Sequence, residues 1–244
     1  MITYTNLTGF SYSFLKKTFN EAFSDYNIPM SLNEEQIKAH LESIDYNPRL
    51  SIGAFDGDKM VGFVFVGQRG NRLYDGGTAV IKEYRRKGIA REMIKTILNK
   101  MSSDQVFILE CISDNTRGLK LYESLGFVKS RHFICYKLNH GGLISGDVKE
   151  VFEVKINKDY RPSWQNEKII NPIYYTRGEN TICVRKDGGV YFSDPDPVLI
   201  KHTLKELGHL SFTNVNNDDK LAVTLNKLGA TIIAEQEEMI YESN

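Results

Sequence analysis

Between residues 78 and 138 the chain alternates strand-like and helix-like patterns, and this alternation constrains the fold more than any other feature. Residues 78–81 read as a short strand. Residues 88–101 are amphipathic, with Ile89, Met93, Ile97 and Met101 in one row and Ala90, Ile94 and Leu98 beside it. Residues 106–111 form an unbroken apolar strand ending in Glu110-Cys111. Residues 115–125 are again amphipathic, and Gly126 sits where a helix stop is expected. Residues 131–138 return to a strand pattern. Such alternation belongs to the α/β class. Upstream, residues 2–7 read as a strand, and Phe14, Leu15, Phe19 and Phe23 stand at helical spacing. Ser31 or Asn33 can cap a second helix with Ile37, Leu41 and Ile44 on one face. Residues 50–55 and 60–66 form a hairpin across Asp56-Gly57-Asp58, and residues 67–71 and Gly76-Gly77 mark further turns. The expected order is β-α-α-β-β-β-α-β-α-β, a mixed sheet flanked by helices.

A second, smaller α+β unit follows. Gly141, Gly142, Ser145 and Gly146 give the segment after residue 138 a linker composition, which divides the chain into residues 1–139, 140–147 and 148–244. Residues 168–175, 180–185 and 190–192 read as strands. Pro197 opens a helix that Gly208 stops after Leu207. A strand at 209–213, a helix at 219–228 ended by Gly229, and a strand at 232–241 complete it. The stretch Leu119-Lys120-Leu121-Tyr122-Glu123-Ser124-Leu125-Gly126 lines up with Ala222-Val223-Thr224-Leu225-Asn226-Lys227-Leu228-Gly229, so the two units read as a loose repeat.

Lys plus Arg and Asp plus Glu each number 31 among 244 residues. That balance argues against a dedicated nucleic-acid or membrane-surface binder, including one using Arg85 to Arg91. Met1 to Phe10 carries no secretory pattern, and the apolar stretch at 60–67 is too short to span a bilayer. Cys111, Cys135 and Cys183 are odd in number and form no CxxC, which fits reduced thiols in a cytoplasmic protein. His40, His132, His140, His202 and His209 show no ligand spacing, so no metal is expected. Trp164 reads as a packing residue.

The first chemical constellation is Val80-Ile81-Lys82-Glu83-Tyr84-Arg85-Arg86-Lys87-Gly88-Ile89-Ala90. It is a strand, a basic loop with one glycine, then a helix. The first turn of a helix leaves N–H groups without intrahelical partners. Ser, Thr, Asp or Asn usually caps them, and residues 84–90 contain none of these. The donors and the helix dipole therefore suit an anion such as a diphosphate. Gly88 permits close approach, and Arg85, Arg86, Lys87 and Arg91 add positive charge. A solvated basic loop before a surface helix is the plain alternative.

The second constellation is Asn115-Thr116-Arg117-Gly118-Leu119-Lys120-Leu121-Tyr122-Glu123-Ser124-Leu125-Gly126-Phe127, preceded by a strand ending in Leu109-Glu110. Together the two stretches resemble the GNAT (GCN5-related) N-acetyltransferases: Arg-x-x-Gly-x-Ala after a strand, then Asn, a helix with Leu-Tyr, and Gly-Phe. The likeness extends over most of residues 1–138. It implies an acetyltransferase that uses acetyl-CoA, with direct transfer to a primary amine of a small molecule or peptide. It implies that backbone groups of Arg85, Arg86, Lys87, Gly88, Ile89 and Ala90 hold the CoA pyrophosphate. The Val80 N–H would polarise the acetyl carbonyl, and Asn115 would contact the CoA arm. Tyr122 matches the family's general acid; an unperturbed Tyr, with a pKa of about 10, is protonated at neutral pH.

Glu110, closing the central strand, is the first candidate for the base that neutralises the amine, and Asp75 the second. A lone carboxylate at a strand end is more commonly a solvated charge. Tyr26, Ile28, Pro29 and Met30 lie where an acceptor pocket would form. The competing class is a non-catalytic acyl-CoA-binding or interaction module. In the second unit Ser193-Asp194-Pro195-Asp196-Pro197 replaces the phosphate loop, and Leu225 stands where Tyr122 stands. The acids would repel a diphosphate and the prolines lack N–H donors. This reads as a degenerate GNAT-like unit that packs, shapes the acceptor site or supports a homodimer.

Overall fold

The computed structural model describes residues 1–25, 31–139, 146–154 and 162–243. Tyr26, Ile28, Pro29 and Met30, and residues 140–145 of the expected linker, lie outside the described residues. The chain packs into two compact units. The first holds Met1–Glu110, Thr116–Lys129 and the C-terminal stretch from Met239; the second holds Cys111–Asn115 and Ser130–Glu238.

The first unit runs β1 (Ile2–Asn6), α1 (Tyr12–Phe23), α2 (Glu34–Ser43), β2 (Ile52–Asp56), β3 (Lys59–Arg69), β4 (Arg72–Val80), a single 3-10 turn (Lys82–Tyr84), α3 (Ile89–Leu98), β5 (Val106–Ile112) and α4 (Thr116–Glu123). The expected element order is observed. Its sheet has the order β1-β2-β3-β4-β5, antiparallel except for the parallel pair β4/β5. Strand β3 is buried along almost its whole length because helices cover both of its faces. Phe63 stacks near Phe19 of α1 (5.9 Å), whereas a Cβ on the neighbouring Gly62 would meet Met93 of α3 at 3.2 Å. That close approach is why a glycine stands there. Helix α1 starts from Ser11, whose hydroxyl accepts the Phe14 N–H. Helix α2 starts from a reciprocal Asn33/Gln36 capping box.

One local expectation is corrected here. Gly76-Gly77 is not a turn but an irregularity inside β4, where the register against β3 shifts between Val64 and Val66. A Cβ on Gly76 would collide with Ile44 at 2.2 Å, and Gly77 takes φ +155°. The glycines let the strand kink without breaking.

The second unit contains most of β6 (Val128–Leu138), then β7 (Lys149–Val151), α5 (Trp164–Glu167), β8 (Ile173–Arg177), β9 (Asn180–Val184), β10 (Gly189–Ser193), α6 (Pro197–Leu207), β11 (Leu210–Asn216), α7 (Lys220–Lys227) and most of β12 (Thr231–Glu242). Its strands follow the order β6-β11-β10-β9-β8-β7, with β10/β11 the parallel pair. Strand β8 starts at Ile173 rather than 168. Asn171 adopts φ +47° and Pro172 has no N–H, so the ladder cannot begin earlier. Tyr136, Leu199, Phe212 and Leu225 lie in its core.

The repeat is visible bond for bond at the two helix ends. After α4, Gly126 N–H donates to Glu123 and Phe127 N–H to Tyr122; after α7, Gly229 N–H donates to Asn226 and Ala230 N–H to Leu225. Both glycines take positive φ, +95° and +75°. Among the described residues no helix is long and apolar enough to cross a membrane.

Candidate active site

The site of the first unit is a fork between two parallel strands. Strands β4 and β5 pair from Arg72↔Val106 to Asp75↔Leu109. Beyond Asp75, β4 continues to Val80 paired with β3. The bulge at Gly76-Gly77 therefore sits where the strands part. Ile81 donates its N–H to Val61 of β3 at 2.9 Å. Alternation along the strand turns the Val80 N–H the other way, to the edge that β5 leaves. It is thus placed to act on a carbonyl in the fork.

Two Tyr–carboxylate pairs flank the fork. Tyr74 stands opposite Ile108 and Asp75 opposite Leu109. Successive residues face opposite sides of a sheet, so Tyr74 and Glu110 share one face and Asp75 takes the other. The Tyr74 hydroxyl donates to Glu110 Oε2. On the opposite face the Tyr122 hydroxyl donates to Asp75 Oδ2 at 3.1 Å. Asp75 also accepts from the Gly77 N–H (2.9 Å) and the Thr78 hydroxyl (2.5 Å). Its carboxyl is buried, and burial pushes its pKa above the usual carboxylate range, against the pull of the three donors. Tyr122 is held by ring packing on Phe127, which also touches Phe107 and Tyr241. His40 contacts the Gly76 carbonyl through Nε2 at 2.9 Å; burial pushes its pKa down, so the ring is neutral at neutral pH and donates there.

Beyond the C-terminal end of β4 lies the candidate anion cradle. Gly88 caps α3 with φ +78°, and no side chain caps the helix. Arg86 also takes positive φ, +63°. The loop thus turns sharply into an uncapped helix start formed by Gly88, Ile89 and Ala90. A Cβ on Gly88 would meet nothing within 4 Å, so the glycine serves the turn and leaves the approach open. The Arg85 side chain does not face this opening. It donates to Asp25 (2.7 and 2.9 Å), the Ala22 carbonyl (2.8 Å) and the Val80 carbonyl (2.9 Å), and so braces the loop against α1 and β4. Lys87 lies over the Tyr84 ring at 4.8 Å. Arg91 donates to Ser124 Oγ at 2.6 Å. Asn115 directly precedes α4, its N–H donating to the Ile112 carbonyl at 2.9 Å.

The structure thus brings Tyr122 to Asp75, and Glu110 to Tyr74. Asp75, the second candidate base in the sequence, accepts a hydrogen bond from Tyr122. Tyr74, Thr78 and His40 were not singled out by sequence. Their signal is the β4/β5 register and the α2 packing, neither of which a single motif encodes. Among the described residues no group of three or more His, Cys, Asp or Glu is placed to hold a metal.

Residues 13–127 match the model of the acetyltransferase (GNAT) family. N-alpha-acetyltransferase 30 of Schizosaccharomyces pombe is 35% identical over 99 residues, which are 38% of this chain and 66% of that protein. The human protein of the same name is 39% identical over 71 residues, 28% of this chain and 19% of that one. The chain therefore spans less than two thirds of the length of the curated relatives it matches. A GCN5-related N-acetyltransferase from Sphaerobacter thermophilus aligns with all of this chain and 96% of its own, with TM-score 0.66 and 10% identity. A tandem GNAT protein from the clavulanic acid biosynthesis pathway aligns with all of this chain and 99% of its own, with TM-score 0.64 and 8% identity. These likenesses concern the fold, and they extend over both units.

Proposed function

Because the chain belongs to the GNAT acetyltransferase family through residues 13–127, we propose that its first unit transfers an acetyl group from acetyl-CoA directly to a primary amine. The observation that carries this reading is the placement of the two Tyr–carboxylate pairs on opposite faces of one strand fork. Acyl transfer needs a proton acceptor for the attacking amine and a proton donor for the departing sulfur, and the two pairs supply one of each.

In this reading the uncapped start of α3, from Arg85 to Ala90, holds the diphosphate through backbone N–H groups and the helix dipole. Asn115 contacts the pantetheine arm. The Val80 N–H binds the carbonyl oxygen more strongly as it gains negative charge. Glu110, oriented by Tyr74, accepts a proton from the ammonium form of the acceptor. The amine nitrogen then forms the C–N bond as the C–S bond breaks. Asp75 holds the Tyr122 hydroxyl at rest. As negative charge builds on sulfur, that O–H turns from Asp75 and gives its proton to the departing thiolate, and the second proton lost by the new amide nitrogen restores it. The products are an N-acetylated amine and CoA.

The acceptor we infer is the α-amine of a peptide, which the likeness to N-alpha-acetyltransferase 30 supports; a small-molecule amine is the alternative acceptor. The chemistry is assigned to residues 1–139, with 140–147 as the join and 148–244 as a GNAT-like unit that does not bind CoA. Three buried free thiols fit a cytoplasmic setting. The test is acetyl transfer from acetyl-CoA to a panel of peptides with free N-termini, beside small amines, by wild type and Tyr122→Phe. Turnover that collapses in the variant while CoA affinity stays unchanged supports an enzyme. Equal behaviour of both forms with every acceptor supports a non-catalytic acyl-CoA-binding module.

A further inference from the structure

The parting of β4 and β5 creates a problem for the backbone of β4. Their pairing ends at Asp75↔Leu109, so residues of β4 beyond that point that face β5 lose their ladder partners. Val80 is one of them. The Ile81 N–H donates to Val61 of β3, and Ala79 stands opposite Phe63. In an antiparallel ladder a residue turns its N–H and its C=O to the same side, and neighbours turn to opposite sides. Both polar groups of Val80 therefore point to the edge that β5 has left.

A strand carbonyl deprived of its ladder needs another donor. Arg85 supplies one: its Nε donates to the Val80 carbonyl at 2.9 Å. The rest of the guanidinium is fixed. Nη1 donates to Asp25 Oδ2 at 2.9 Å, and Nη2 donates to Asp25 Oδ1 at 2.7 Å and to the Ala22 carbonyl at 2.8 Å. The bidentate carboxylate and the end of α1 thus set both the place and the plane of the fork of donors. Arg85 beside it holds the Asp25 carboxyl below the usual carboxylate range, so the pair is intact at neutral pH. Lys82 lies 3.9 Å from the same carboxylate.

The consequence falls on the Val80 N–H. The peptide that follows Val80 is held at both ends, its oxygen by Arg85 and its nitrogen by Val61. The strand register holds Ala79 on the other side. Val80 is then clamped between two fixed neighbours, and its N–H keeps one direction. A donor that need not reorient as charge develops is the kind that lowers a barrier.

We infer that Arg85 is a positioning residue for acetyl transfer: anchored on Asp25 and Ala22, it holds the Val80 carbonyl and so aims the Val80 N–H at the acetyl oxygen. The inference rests on the acetyl-transfer reading of this fork. It gives the Arg85 side chain a task in the chemical step and none in holding the diphosphate.

The test compares Arg85→Lys, Asp25→Ala and the double variant with wild type in the full chain. Lys keeps the backbone and the charge but lacks the planar fork. Turnover should fall about tenfold in Arg85→Lys, less than the roughly 10²–10³-fold cost of losing an oxyanion donor outright. Acetyl-CoA affinity by calorimetry should not change. Asp25→Ala should lower turnover in the same way. The double variant should be no worse than Arg85→Lys, since both substitutions break one linkage. Asp25→Asn retains one acceptor oxygen and should recover part of the loss. Infrared spectra of bound acetyl-CoA, isotope-labelled at the acetyl carbonyl, give a readout independent of turnover. The carbonyl stretch should lie below its solution frequency in wild type and move back toward it in Arg85→Lys.

Unchanged turnover in Arg85→Lys would overturn the proposal. So would a loss matched by weaker acetyl-CoA binding, which would make Arg85 a ligand of the diphosphate, or a carbonyl stretch that does not move. A wild type that shifts the carbonyl stretch but acetylates no acceptor would overturn the acetyl-transfer reading while the Arg85–Val80 linkage stands. A wild type that does not bind acetyl-CoA would overturn both.

Discussion

The two forks of this chain solve one electrostatic problem in opposite ways. Each contains a parallel strand pair that parts, followed by a loop and a helix whose first N–H groups need an acceptor. In the first unit Gly88 offers none, so the helix start is open to an external anion. In the second unit Asp196 offers a carboxylate with 2% side-chain exposure, and Arg177 and Asn180 clamp it. The protein has there supplied its own anion. The helix-end hydrogen bonds at Tyr122 and Leu225 are otherwise the same. The same fold therefore keeps its scaffold while the site chemistry changes, because scaffold and site depend on different atoms.

The largest effect that would break this comparison is catalytic. Tyr122→Phe should lower turnover by about 10²–10⁴-fold with unchanged acetyl-CoA affinity, measured by steady-state kinetics and calorimetry. Leu225→Ala, its counterpart, should lower the melting temperature through a cavity costing about 2–5 kcal/mol and leave affinity for acetyl-CoA alone. A turnover unaffected by Tyr122→Phe would remove the functional asymmetry between the units.

Next comes the cradle. Gly88→Glu forces a side chain into φ +78° and puts a negative charge at the helix start. Acetyl-CoA affinity should fall about 100-fold, since strain and repulsion act together. Unaltered binding would mean that the diphosphate lies elsewhere.

A smaller effect is expected at Asp196. Asp196→Ala deprives two N–H groups, Arg177 and Asn180 of their acceptor and should destabilise the second unit by about 2 kcal/mol. Acetyl-CoA affinity should not change. Thermal melts followed by a probe in each unit separate the two.

The smallest effects are those of pH, and they have opposite sign in the two forks. Burial would raise the Asp196 pKa, but Arg177, Asn180 and the α6 N–H groups outweigh it and hold it below the usual range. Its stabilisation is complete above the unfolded value of about 3.9 and is lost as pH falls through the folded value. Asp196→Asn should flatten that acid limb. Asp75 is shifted upward by burial. The folded state holds its proton more tightly, so stability declines as pH rises from about 3.9 toward the folded value. Asp75→Asn should abolish this decline. Melting curves between pH 3 and 7, a range of about four units around these carboxylates, test both.

The sequence made the frame of each fork legible because local chemistry specifies it. Pro197 and Gly208 bracket α6 as expected, and Gly126 and Gly229 end their helices by the same positive-φ geometry. The Arg-x-x-Gly-x-Ala pattern and Tyr122 likewise announce themselves, since each occupies a fixed offset from a helix start or end. Less legible were the features set by pairing between strands. Gly76-Gly77 looks like a turn until the β3/β4 register makes it a bulge. Asp75 reads as a carboxylate without partners until Tyr122, Thr78 and Gly77 converge on it.

The ring of Tyr241, near the end of β12, lies 5.5 Å from that of Phe127 and closes the aromatic cluster behind Tyr122. On a ribosome, therefore, the stretch that carries Tyr122 emerges long before the side chain that seals it. The first unit must wait through the synthesis of nearly all of the second before its aromatic cluster is complete. Closing so long a loop is entropically demanding and delays the final packing step. The nascent chain consequently carries an unsealed apolar surface while residues 128–240 are made, a window in which holdase chaperones have something to bind.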